Sequence, residues 1–100
     1  MEWTLIQDGD DVTIVGPGGL ELVIAHFDPA LVKQGDAQCV RDGVRMRREW
    51  SYPLSGVFLD IVSRFVDGVG SYRMFFGEAV RWDIPVTLYD ALCALGRPEE

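Results

Sequence analysis

Residues 54–67 read Leu-Ser-Gly-Val-Phe-Leu-Asp-Ile-Val-Ser-Arg-Phe-Val-Asp. Apolar side chains recur as doublets: Val57 with Phe58, Ile61 with Val62, Phe65 with Val66. That i, i+1, i+4, i+5, i+8, i+9 series has the spacing of an amphipathic helix. Asp60, Ser63, Arg64 and Asp67 form a narrow polar stripe, so most of such a helix would be buried. Ser55 stands where an N-cap belongs, and Gly68 and Gly70 follow as stops. Read this way, the segment makes the fold α+β.

Before it the period is two. Residues 2–7 and 11–15 flank Asp8-Gly9-Asp10, a hairpin signal. Pairing about Asp8-Gly9 sets Trp3 opposite Ile14 and Leu5 opposite Val12, with one apolar and one polar face. Gly16-Pro17-Gly18-Gly19 breaks the chain, and residues 20–25 resume as a strand. Asp28-Pro29 opens a short turn before Gly35. Asp42-Gly43 marks a second hairpin, in which Arg41 faces Val44, Val40 faces Arg45 and Cys39 faces Met46. Val44, Met46 and Trp50 are expected to face one core, with Arg45 and Arg47 toward solvent.

After residue 67 the alternation of Tyr72, Met74, Phe76, Val80, Trp82 and Ile84 favours a strand bent near Gly77. Thr87 is placed to cap a last helix over 88–95, with Leu88, Ala91, Leu92 and Leu95 inward. The expected fold is α+β: an antiparallel sheet of about five to six strands in a meander of hairpins, with two helices packed on one face. At 100 residues the chain is expected to form a single globular domain over 1–100.

The charge pattern narrows the function classes. The net charge is −7, distributed as −6 over residues 1–36, +2 over 37–50 and −3 over 51–100. An acidic body disfavours nucleic acid, whose binding needs several neutralising cations, and is attracted to basic protein surfaces. No apolar run approaches the ~18 residues that span a bilayer, and Glu2 stands where a leader needs positive charge. The expectation is a cytoplasmic protein with no membrane association.

Chemical motifs are weak. His26, the one histidine, has no serine or cysteine at a recognisable spacing to activate, and reads as a strand-end residue with a backbone partner. Cys39 and Cys93 lack the paired spacings of a zinc site and are too few for a disulfide scaffold. Cys39 lies near several arginines, the setting a thiolate wants. The glycines of 16–19 lack the lysine and following helix of a phosphate loop. Asp8, Asp10 and Asp11 miss the calcium-loop spacing. No metal or cofactor is expected.

The sequence therefore points to a small acidic protein-binding module without catalysis. Asp8, Asp10, Asp11, Glu21 and Asp28 would meet a basic surface of a protein partner. Small acidic inhibitors, such as immunity proteins and phage-encoded blockers of host defence enzymes, act in this physical way. Arg45, Arg47, Arg48 and Trp50 form a candidate secondary interface. One alternative is a homo-oligomeric structural subunit of a phage particle or cellular assembly, favoured by long edge strands and the charge split. The other is a small enzyme or ligand binder using His26 or Cys39.

Overall fold

The computed structural model describes residues 2–41, 43–66, 69–77 and 80–95. Among the described residues, eight antiparallel strands form two sheets. β1 (Thr4–Asp8), β2 (Asp11–Val15) and β3 (Glu21–Ile24) make a three-stranded sheet in that order. β4 (Lys33–Arg41), β5 (Val44–Leu54), β6 (Val57–Val66), β7 (Val69–Phe76) and β8 (Val80–Ile84) make a five-stranded meander. One helix, α1 (Val86–Leu95), closes the described chain.

The antiparallel meander and the terminal helix agree with the expected α+β fold, but the helix over 55–67 does not form. The segment is strand β6. An apolar doublet puts one side chain on each face of a strand, and both faces of β6 are covered along its middle, Leu59 to Ser63. Leu59 and Ile61 join the main core, while Val62 packs with Met46 and Phe75 on the other face. Leu59, which helical spacing leaves outside the apolar stripe, is fully buried. The doublets are all β-branched or aromatic, which favours strand over helix. Ser55-Gly56 is a turn rather than a cap: Leu54 pairs with Val57, and Gly56 takes φ 82°, a left-handed value that costs glycine nothing. Gly70 lies within β7, whereas Asp67 and Gly68 are outside the described residues.

The first hairpin is centred on Gly9-Asp10, one residue further on than Asp8-Gly9 suggests, which moves every pairing partner by two. Asp8 pairs with Asp11 and Leu5 with Ile14. A shift of two preserves the period of a strand, so Val12 and Ile14 still face inward. The second hairpin has the expected register, Arg41 to Val44 and Cys39 to Met46; its turn residue Asp42 is outside the described residues. Residues 72–84 form two paired strands rather than one bent strand, with Phe76 opposite Val80.

The main core lies between the two sheets. Val12, Ile14 and Ile24 meet Trp50, Tyr52, Leu59, Ile61, Met74 and Ile84, and α1 adds Leu88, Leu92 and Cys93. Trp50 is 0% exposed, and its indole N–H donates to the Leu92 carbonyl at 3.0 Å. Asp28 links the layers as well: its N–H donates to the Tyr52 hydroxyl at 2.9 Å.

Val44, Met46 and Trp50 do not share a core. The β5–β6 register shifts by one residue between Arg48 and Trp50, a β-bulge. Met46 and Val44 belong to the second cluster and Trp50 to the first. Pairing of β5 with β6 runs no further toward the β4–β5 turn than Arg47 and Ser63. Beyond it, the hairpin end folds across the face that carries Val62 and Phe75.

Candidate functional site

Four of the five acidic candidates, Asp8, Asp10, Asp11 and Asp28, lie at one end of the three-stranded sheet. Asp8, Gly9, Asp10 and Asp11 form the β1–β2 turn. The chain leaving β3 returns to that turn: the His26 N–H donates to Asp11 Oδ1 at 3.1 Å, and the Phe27 N–H to the Asp10 carbonyl at 2.7 Å. His26 itself sits at φ 54°, a left-handed conformation. Asp28 follows, and its Oδ1 accepts the Ala30 N–H at 3.0 Å to start a single 3₁₀ turn. Asp8, Asp10 and Asp28 are exposed and Asp11 is half-buried. Glu21 is at the other end, opposite Val15, and is not part of this cluster.

The basic group of the sequence is dispersed. Arg45 and Arg47 project from one face of β5 and Arg48 from the other, by strand alternation. Trp50 is beneath the surface as the centre of the core, so it presents no side chain to a partner. His26 and Cys39 are also apart. His26 is exposed at the acidic turn, and Cys39 packs against the cluster of Met46, Val62 and Phe75. Cys39 and Cys93 lie in different clusters and are not joined by a disulfide. Among the described residues no group of three metal-ligating side chains comes together.

Two polar constellations join residues far apart in the chain. At the bulge, Glu49 Oε2 accepts the Ser63 hydroxyl at 2.6 Å and Glu49 Oε1 the Tyr89 hydroxyl at 3.0 Å. Tyr89 stacks on Tyr72 with ring centres 4.3 Å apart. Burial pushes the Tyr89 hydroxyl pKa far up, and its hydrogen bonds with Cys93 and Glu49 add to this. Tyr72 is raised as well, by burial first and by the Glu49 carboxylate second. These groups are held neutral, which suits a tether between α1 and the sheet rather than proton transfer near neutral pH.

On the opposite face, Asp60 is 1% exposed. Its Oδ1 accepts the Ser51 hydroxyl at 2.6 Å, and its Oδ2 meets the Arg41 guanidinium. Arg41 also lies over the Phe75 ring, 5.3 Å from its centre. It lines a cavity of about 250 Å³ with Gly56, Val57, Phe58 and Gly77. Sequence spacing reveals neither constellation, because each is assembled by strand register. No described helix is long and apolar enough to cross a membrane. The chain matches no protein family, no curated protein and no solved structure.

Proposed function

We propose that this chain is a small non-enzymatic protein-binding module, of the inhibitor kind, that docks its acidic sheet end on a basic surface of a partner. The observation that carries the reading is the charge of the three-stranded layer. Residues 1–32 contain six acids and no lysine or arginine, and Asp8, Asp10 and Asp28 stand exposed at one end. Exposed carboxylates of one sign steer encounter and speed association, and their effect falls within a Debye length of ~10 Å at 0.1 M salt. The test compares the chain with its Asp8→Lys/Asp10→Lys variant for capture of a partner at rising ionic strength. Loss of capture in the variant, and with salt in the parent, supports the reading. Undiminished capture by the variant removes it.

A homo-oligomeric subunit is the second reading. It is supported by β4, a nine-residue strand that among the described residues pairs only with β5. Its other edge offers backbone groups to a further strand, beside an exposed Val40. A mass above 11.2 kDa in dilute solution that is insensitive to salt would favour it.

A further inference from the structure

The three-stranded sheet turns Val12, Ile14, Leu22 and Ile24 to the main core, so the residues between them face away from it. Ile6 of β1 pairs with Thr13 of β2, and Thr13 with Val23 of β3, which makes one row across that outer face. Ile6 is 46% exposed and Val23 54%. One step along the strands toward the β1–β2 turn stand Asp8 and Asp11, and one step the other way Val15 and Glu21. The apolar row is bordered by carboxylates at both ends.

Folding gives little reason for this arrangement. Outer strands are ordinarily guarded by lysine or proline, and β1 and β3, the outer strands of this sheet among the described residues, contain neither. Exposed apolar side chains rimmed by charge are characteristic of protein contacts. A second copy does not suit the face. Residues 1–32 hold six acids and no lysine or arginine, so face-to-face self-docking would set acid against acid.

We propose that this outer face seats a basic amphipathic helix of a partner protein. The proposal rests on the acidic docking proposed above and supplies its apolar anchors, Ile6 and Val23. Three strands are about 10 Å across, the width of one helix. The two rows of carboxylates are about 13 Å apart along the strands, the length of about nine helical residues. A helix lying along the strands sets its apolar stripe over Ile6, Thr13 and Val23, with lysine or arginine about one turn to either side. The apolar anchors hold the helix, and the carboxylates steer it.

Fluorescence anisotropy of the full chain with a labelled peptide tests this. The peptide has about sixteen residues of leucine and lysine at helical spacing, long enough to hold a helix once docked. The expected result is one saturable site, weakened about tenfold or more by Ile6→Thr/Val23→Thr. Both positions are exposed and threonine keeps the β-branch, so the variant keeps the strands; Val23→Thr alone, nearly isosteric, repeats the test should the pair unfold. Val86→Thr, at an exposed apolar position on α1, should leave binding unchanged. The same leucines and lysines in strict alternation should bind less tightly. Four results would overturn the proposal: undiminished binding by Ile6→Thr/Val23→Thr, equal weakening by Val86→Thr, equal affinity for the alternating peptide, or a dimer of the parent chain that the double variant abolishes. Undiminished binding by Ile6→Thr/Val23→Thr beside lost binding by Asp8→Lys/Asp10→Lys removes this proposal and leaves acidic docking standing. The reverse pattern removes both.

Discussion

Arg41, the last residue of β4, holds its guanidinium against the carboxylate of Asp60, in the middle of β6. The contact pins the β4–β5 hairpin end onto the face it crosses. Asp60 is buried, and its loss removes the acceptor of the Ser51 hydroxyl as well as the carboxylate that faces Arg41. Asp60→Ala is expected to lower the unfolding free energy by about 3 kcal/mol. Urea unfolding measures it, and a loss under about 1 kcal/mol would mean that the contact is a surface ornament.

Leu59 and Phe58 discriminate strand from helix over this segment. Leu59 is fully buried, whereas Phe58 is 53% exposed. Leu59→Ala should therefore cost about 2–5 kcal/mol, and Phe58→Ala distinctly less. A helix with the doublet stripe inward would reverse that order. The comparison needs only two thermal melts beside the parent.

Gly16 lies under the Trp3 ring, and a Cβ there would come 2.8 Å from Trp3 Cζ3. Gly16→Ala should cost about 1–3 kcal/mol, because the ring is packed against the core. At Gly70 a Cβ would meet Phe65 at the same 2.8 Å. Phe65 is 62% exposed and can swing aside, so Gly70→Ala should cost less. Equal losses at the two positions would contradict the packing of Trp3.

Tyr89 and Tyr72 make stability fall in alkali. Their hydroxyls have pKa values raised above the ordinary 10.0, by burial first. Above about pH 10 the unfolded chain releases phenolic protons that the folded chain retains. Their contribution is complete below that pH and declines as pH rises through and beyond it. Tyr89→Phe should flatten the decline in Tm, and phenolate absorbance should show fewer than the full three tyrosines titrating in the ordinary range before unfolding. An equally steep decline in the variant would assign the effect elsewhere.

The hairpins were legible because turn chemistry and period-two alternation are local. Asp42-Gly43 carries its own register, and Leu88, Leu92 and Leu95 their own helical spacing. The segment 55–67 was not legible by periodicity, since apolar doublets serve a buried helix and a strand covered on both faces equally well. What separates them is tertiary: whether a second apolar layer exists, here supplied by Met46 and Phe75. The acidic turn was visible as a run of aspartates. The row of Ile6, Thr13 and Val23 was not, because strands β1, β2 and β3 bring together residues that no motif connects.

The bulge at Arg48 and Glu49 also works as a phase shift. On its two sides residues of the same parity serve cores on opposite faces, Met46 in one and Trp50 in the other. Removing Glu49 would restore plain alternation, with Arg48 opposite Val62 and the indole opposite Ile61, and would keep both cores; what it would take away is the carboxylate that ties Ser63 to Tyr89.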